Sequence, residues 1–269
     1  MTKVGFIFLI ILQSLMWIGN IQAQTELGNF SDLRLEVKPQ KNNYLPFEPI
    51  LFSYKISNST SLPIKGFKVM SFRNSSTNLI IENIGQPRII YQLSGWHSGS
   101  RLYLIQPNEM VEGQELLEFR LSDIFPEYGN YKLTFNIIGN ENGEMISSNK
   151  IDITIQKPTG IDMEALAFIQ KTQRSRFLGI FQDWVDFREK EPAKLLEEFV
   201  EKYSESVYGD YAVFYLGNYY KYQKKYDLAI KEFNKLKDKK DFAYSDKVES
   251  SLSEIEQDLI KIKLREREN

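Results

Sequence analysis

Apolar and polar residues alternate along the first half of the chain. Leu33, Leu35 and Val37 begin this pattern, in which every second residue of a short segment is apolar. Successive side chains of a strand point to opposite faces, so a period of two predicts half-buried strands. Asn, Ser, Gly and Pro clusters separate the segments and predict the turns of an all-β sandwich. The further predicted strands are 50–56, 64–72, 79–84, 89–93, 102–105, 116–121, 131–137 and 151–155.

After residue 160 the spacing of apolar residues changes to that of an amphipathic helix, about 3.6 residues. This spacing predicts helices through 177–185, 192–203, 210–224 and 226–237, and a last helix from about residue 245. We interpret the last helix as a capping helix, with a coiled-coil arm as the alternative. Its apolar residues are Val248, Leu252, Ile255, Leu259 and Ile262.

Charge density changes at the same place. Residues 24–157 hold 13 Lys and Arg against 14 Asp and Glu, whereas residues 158–269 hold 20 against 22. This shift and the Pro and Gly of residues 156–160 predict a β domain over 24–157 and a helical domain over 158–269. A nucleic-acid interface would need a clear basic excess, and both halves are nearly neutral, so we expect no nucleic-acid partner.

The first 23 residues have the pattern of a secretory signal peptide. Lys3 precedes an apolar run over residues 4–18, and Ala23 is a small residue at the expected cleavage point. An uncleaved anchor is the alternative, but the run is short for a bilayer span of about 20 residues. We expect no transmembrane segment after cleavage. With no cysteine in the chain, we expect a bacterial periplasmic, extracellular or envelope-associated protein.

Two stretches of the first half resemble immunoglobulin-like domains. In "EYGNYKL", Gly129, Tyr131 and Leu133 are spaced as in the tyrosine corner of that family. The stretch "NNYLPFEPILFSYKISNST" is similar to the opening strands of bacterial immunoglobulin-like modules, with Phe47 where the Tyr-x-x-Gly-Glu-Pro turn has glycine. This resemblance implies an immunoglobulin-like β-sandwich.

The second half resembles tetratricopeptide (TPR) proteins. Leu216, Gly217, Tyr220, Ala229 and Phe233 match the pattern W-x2-L-G-x2-Y…A-x3-F, apart from its first position. Small residues at 217 and 229 would let two antiparallel helices approach closely, and the larger three would fill the space around that contact. The resemblance implies a TPR-like antiparallel helical domain similar to those of periplasmic proteins of envelope assembly.

In TPR proteins the first helix of a repeat lines the binding groove. The resemblance therefore implies a site for a peptide or protein partner at Tyr211, Phe214, Asn218, Lys221 and Tyr222. An amide can pair with an extended backbone, and aromatic rings supply rigid contact area. The alternative is that these aromatic residues are buried, as aromatic stripes at helical spacing usually are.

Residues for catalysis are scarce. The chain has one histidine and no cysteine, and it lacks the sequence motifs of triads, zinc proteases and nucleotide sites. We therefore predict a non-enzymatic interaction or scaffold protein without metal or cofactor, although a pair of carboxylates for glycoside hydrolysis has no linear signature.

One loop of the first half suggests a different ligand. In "SGWHSGS", Trp96 and His97 form a possible ligand loop, and an ordinary turn is the alternative. If Tyr91 and Tyr103 joined Trp96 in an exposed platform, the sandwich would be a carbohydrate-binding or surface-attachment module.

Overall fold

A computed structural model describes residues 26–67, 77–83, 85–93, 102–117, 125, 127–139, 143–172, 191–239 and 241–268. Within these ranges, strands fill the first part of the chain and helices the second. A short 3-10 helix, Phe30–Asp32, precedes the strands. The strands are β1 (Leu33–Pro39), β2 (Asn43–Tyr44), β3 (Ile50–Asn58), β4 (Ile64–Phe67), β5 (Thr77–Asn83), β6 (Ile89–Leu93), β7 (Leu102–Ile105), β8 (Met110–Leu117), β9 (Gly129–Ile138), β10 (Met145–Ser147) and β11 (Ile151–Ile155).

The strands form three sheets. The largest has the order β2-β11-β9-β5-β6, with β10 also paired to β9. A second sheet has the order β1-β3-β8, and β4 pairs with β7 in a third. The pairing of β2 with β11 is parallel, and the other pairs of named strands are antiparallel.

The two larger sheets share one core, because each strand turns its alternate apolar residues inward. Phe52 of β3 and Phe135 of β9 meet edge to face, with ring centroids 5.1 Å apart. Leu79 of β5 and Leu133 of β9 lie on the inward faces of two paired strands of the six-stranded sheet, and both are fully buried. The period of two thus identified the inward faces of β1, β3, β9 and β11.

The prediction of an immunoglobulin-like sandwich is wrong. The described strands divide into sheets of six, three and two strands, and a parallel pair lies at one edge of the largest. They therefore do not form a clear immunoglobulin sandwich. Strand order depends on which strands meet in space, and alternation along each strand carries no information about it.

Two local features of the quoted stretches are nevertheless present. The Tyr131 hydroxyl donates to the carbonyl oxygen of Glu127 over 2.7 Å, as in a tyrosine corner. Phe47 has φ of 66°, a left-handed conformation that is unusual for a residue with a side chain. The turn therefore keeps the backbone geometry that suits glycine, although phenylalanine occupies the position.

The helices begin directly after the last strand. They are α1 (Gly160–Lys171), α2 (Glu191–Tyr203), α3 (Val207–Tyr222), α4 (Tyr226–Asn234) and α5 (Ser245–Glu268). Helix α3 is central, since 10 of its 16 residues are buried. The hydroxyl oxygen of Ser206 caps it by accepting a hydrogen bond from the Gly209 N–H over 3.0 Å.

The prediction of a TPR-like repeat is also wrong. The described residues contain five α-helices, and the α3–α4 hairpin is not shown to recur among them. The helix predicted through 177–185 lies outside the described residues. Close packing within the hairpin is present: a Cβ at Gly217 would lie 2.7 Å from the Phe233 ring. Such a contact satisfies the motif spacing in a single hairpin, so the spacing alone does not require a repeat.

The β half and the helices are in contact. Leu45, Phe47, Leu51 and Leu116 pack against the buried cluster of the helices. The Tyr208 hydroxyl donates to the carbonyl oxygen of Pro46 over 2.9 Å. Strand β11 ends at residue 155 and α1 begins at residue 160, but independent folding of two units stays a prediction.

None of the helices in the described ranges combines the length and the apolar character needed to cross a bilayer.

Candidate functional site

Two of the predicted partner-binding residues lie inside the helical core. Tyr211 is 3% exposed and Phe214 is 5% exposed. Both rings contact Phe242 and Tyr244, in the segment that leads into α5. These two side chains therefore support the packing of α3 against that segment and do not face solvent.

The other three predicted residues lie together at the C-terminal end of α3. Asn218, Lys221 and Tyr222 lie within five consecutive residues; Tyr222 is 53% exposed and the other two are half-buried. The ammonium nitrogen of Lys221 is 2.8 Å from a carboxylate oxygen of Glu254 and 3.2 Å from the Ser251 hydroxyl. We call Asn218, Lys221, Tyr222, Ser251 and Glu254 the helical surface site.

The polar groups of the helical surface site are held loosely. The hydrogen bond from Lys221 holds the pKa of Glu254 below its ordinary value, so this carboxylate is charged at neutral pH. The Glu254 side chain is 60% exposed and that of Lys221 is 25% exposed, and an ion pair at the surface contributes only about 0–1 kcal/mol. The Asn218 amide donates to the backbone oxygen of Phe214 over 3.1 Å, within its own helix. Lys221 and Glu254 can therefore exchange each other for groups of a partner at small cost.

Sequence reasoning missed Ser251 and Glu254, because they come from α5, about thirty residues farther along the chain. The charge of Glu254 and the spacing of α5 were visible. The sequence did not show which side of α3 packs against α5.

The predicted ligand loop consists of Trp96 and His97. Trp96 and His97 lie outside the described residues. Tyr103, in β7, is exposed, as expected for a member of the aromatic platform. The platform itself stays a prediction.

A groove lined by polar and charged residues, and by the apolar parts of their side chains, lies on the outward face of the six-stranded sheet. It has a volume of about 570 Å³. Glu82 of β5, Lys132 of β9 and Asp152 of β11 are in register across three neighbouring strands. We call this feature the sheet groove; its lining residues are Asn42, Glu82, Asn83, Asn130, Tyr131, Lys132, Asp152, Ile153 and Thr154.

Charges in the sheet groove are balanced by neighbours. Lys132 lies 2.7 Å from Asp152, and Lys150 lies 3.3 Å from Glu82. The hydrogen bond to Asp152 raises the pKa of Lys132, so this lysine stays charged. The Thr154 hydroxyl donates to the Asn130 amide oxygen over 2.8 Å. The groove thus offers amides, a hydroxyl and paired charges to a neutral ligand.

Only the strand order could reveal the sheet groove. The alternation along β9 and β11 showed which polar residues of each strand point outward. Their meeting with Glu82, which is fifty residues away in the chain, required the pairing of β5 with β9.

A buried carboxylate lies where the β half meets the helices. Glu48 is buried, pairs with Lys41 and accepts a hydrogen bond from the Leu45 N–H over 2.9 Å. Burial raises the pKa of Glu48 despite the lysine. Burial likewise raises the pKa of the neighbouring Tyr44 to about 12. The arrangement fastens the turn that carries Phe47.

Among the residues that the structure describes, no group of three or more His, Asp or Glu side chains could hold a metal ion.

Comparisons with known proteins identify no family. No family profile matches the chain, and no curated protein matches it. The similar solved structures include a β-glucosidase from Listeria innocua, with 10% identity, a TM-score of 0.31, and coverage of 49% of this chain and 17% of that one. This chain therefore spans less than a fifth of the glucosidase.

Two further similar solved structures are of proteins with different functions. The sporulation control protein Spo0M from Bacillus subtilis is 12% identical over 52% of this chain and 56% of its own, with a TM-score of 0.34. The alkylpurine DNA glycosylase AlkC from Pseudomonas fluorescens is 13% identical over 54% of this chain and 37% of its own, with a TM-score of 0.31. Likeness at this level carries no argument about function.

Proposed function

We propose that this protein is a non-enzymatic binding protein that holds a peptide or protein partner on the helical surface site. The observation that carries the proposal is the exposed ring of Tyr222 beside Asn218 and the Lys221–Glu254 pair. Exposed aromatic residues next to hydrogen-bonding groups are enriched where proteins bind partners.

The chemistry of the site suits an extended peptide. The ring of Tyr222 offers rigid contact area with few rotatable bonds. Asn218 has both a donor and an acceptor, which matches a peptide group, and Lys221 and Glu254 can each bind an opposite charge. The site has no excess of either charge, so it favours a partner of mixed composition.

The proposed setting is the bacterial envelope or the exterior of the cell. Residues 1–23 support it through their signal-peptide pattern, and the lack of cysteine is consistent with it. A role in envelope assembly is part of the proposal, as one use of a binding protein in that setting.

Affinity capture from an envelope extract tests the proposal. The wild type is compared with the double variant Asn218→Ala, Tyr222→Ala and with Leu228→Ala, an exposed apolar position of α4 outside the site. We expect a partner that binds the wild type and Leu228→Ala, and at least tenfold less of it on the double variant. The melting temperatures should agree within about 2 °C, since Tyr222 and Leu228 are exposed and the half-buried Asn218 bonds only within its own helix. Equal capture by all three proteins would contradict the proposal.

A second candidate function is saccharide binding in the sheet groove. Amides, a hydroxyl and charge pairs that neutralise each other suit a ligand rich in hydroxyl groups. Affinity electrophoresis in soluble polysaccharides tests it with Asn130→Ala, Asp152→Ala and, as a control on the other sheet, Glu36→Ala. This function would be supported if the polysaccharide retarded the wild type and Glu36→Ala but not Asn130→Ala or Asp152→Ala. Equal mobility of all proteins with and without polysaccharide would contradict it.

A further inference from the structure

The C-terminal end of α5 extends beyond the helical core. Ile255 is the last buried residue of the helix, and Leu259 is the last that packs against the core. Every residue from 260 to 267 is exposed. Three of them are large and apolar: Ile260 is 51% exposed, Ile262 is 39% exposed and Leu264 is 53% exposed. We call residues 260–268 the α5 tip.

Two of these apolar residues lie on the side of α5 that faces away from the core. An α-helix turns by about 100° per residue, so Ile260 and Leu264 share one face, one turn apart. Val248 and Ile255, which are buried, lie on nearly the opposite face. Ile262 continues the buried stripe, but Ile260 and Leu264 do not. Packing among the residues that the structure describes therefore gives no account of the outward pair.

Charge is divided along α5. Residues 245–258 contain five acidic residues and one lysine, a net charge of −4. Residues 259–268 contain four basic and two acidic residues, a net charge of +2. An antiparallel partner of the same sequence would place a basic end beside an acidic stretch at both ends of the contact, so the charge pattern is complementary to itself.

We propose that two copies of the protein associate through antiparallel pairing of their α5 helices over residues 249–268. About a twofold axis near residue 258, the Ile260 side chains of the two copies meet, and each Leu264 lies against Ser253 of the second copy. On one flank, Lys263 and Arg267 lie near Glu256 and Glu249 of the second copy. Antiparallel pairing about a twofold axis is self-complementary, so the assembly closes as a dimer.

The expected dimer is weak. Twenty residues of helix span about 30 Å, so the contact is short compared with a standard protein interface. Small serine side chains at 250 and 253 permit close approach of the two helices, whereas the two apolar pairs supply limited buried area. We expect a dissociation constant of about 10–100 μM. The dimer is then populated only at high protein concentration, or where a membrane or surface gathers the protein.

Sedimentation velocity tests the pairing. The full protein is measured from about 1 to about 300 μM, a range that brackets the expected dissociation constant. We expect the wild type to shift from monomer to dimer, and Ile260→Glu, Leu264→Glu to remain monomeric, with an affinity at least tenfold lower. Ile262→Glu is the matched control, since it makes the same change at an exposed tip residue on the other face. It should dimerise like the wild type, and circular dichroism should show that all three remain helical.

Charge reversal tests the antiparallel direction. The variant Lys263→Glu, Arg267→Glu and the variant Glu249→Lys, Glu256→Lys should each remain monomeric, because like charges then face each other. An equimolar mixture should dimerise again, since both ends of the mixed dimer have opposite charges. A wild type that stays monomeric at all concentrations would overturn the proposal. Dimerisation of the variant Ile260→Glu, Leu264→Glu with the affinity of the wild type would also overturn it. So would a wild type that stays monomeric and binds anionic vesicles through the α5 tip.

Discussion

Gly217 is the position at which a single added side chain should disturb the helical core most directly. A Cβ there would lie 2.7 Å from Cε1 of Phe233 and 3.0 Å from two further ring atoms. Phe233 is fully buried in the α3–α4 hairpin, so its ring has little room to move. Gly217→Leu should gain about 1 kcal/mol of helix propensity. It should lose about 1–3 kcal/mol or more through overpacking, since the leucine extends beyond its Cβ.

We expect a net loss of about 1–2 kcal/mol in the free energy of unfolding. For a chain of this size, this loss corresponds to a fall in melting temperature of roughly 3–6 °C. Urea denaturation followed by circular dichroism and a thermal scan measure the two quantities. Lys231→Leu, an exposed change in α4, controls for the addition of a leucine to the same hairpin.

A double variant separates the clash from other effects. In the background of Gly217→Leu, the change Phe233→Ala removes the ring, and the leucine then occupies part of the space. The two changes should therefore cost less together than the sum of their separate costs, by about 1–3 kcal/mol. The reasoning would be refuted if Gly217→Leu were as stable as the wild type or more stable, the result expected for an ordinary exposed glycine in a helix.

Two further predictions concern the turn that joins the β half to the helices. Phe47→Gly should be more stable than Phe47→Ala by about 1 kcal/mol, the reverse of the usual order, because only glycine adopts the left-handed conformation without strain; equal urea midpoints would contradict this prediction. Because the raised pKa of Glu48 means that the folded state binds its proton more tightly than the unfolded state, its contribution to stability is complete below pH 4.5 and is lost as the pH rises through the folded-state pKa. Glu48→Gln removes the titrating carboxyl group, so the wild type should lose stability relative to the variant as the pH rises above about 4.5 in urea titrations. A difference that does not vary with pH would contradict the assignment.

Much of the secondary structure was predictable, because burial of one face imposes a period on the sequence. The alternation over residues 33–37 and 151–155 corresponds to β1 and β11, and the helical spacing over 192–203 corresponds to most of α2. The strand predicted over 116–121 begins too late, because β8 already begins at Met110 and residues 110–115 are mostly polar and exposed or half-exposed. Residues 118–121 lie outside the described part of the chain. Helix α1 was not predicted because its apolar stripe is short.

The candidate sites show the same division. Helical spacing alone indicated that Asn218, Lys221 and Tyr222 share a surface. Tyr211 and Phe214 have the same spacing and the same aromatic character as a binding stripe, and their burial depends on the segment from Phe242 to Tyr244, which folds over them. Composition cannot distinguish an aromatic residue that binds a partner from one that another part of the same chain covers.

The sequence by itself determined the type of most elements, the close approach of α3 and α4 at Gly217, and the division of charge along α5. Each follows from residues near one another in the chain, where the period of the backbone relates position to direction. Only the tertiary structure decided the order of the strands, the register that brings Glu82, Lys132 and Asp152 together, and the contact of Phe47 with the helices. A periodic pattern states that a face is covered, whereas the identity of what covers it depends on packing between distant segments.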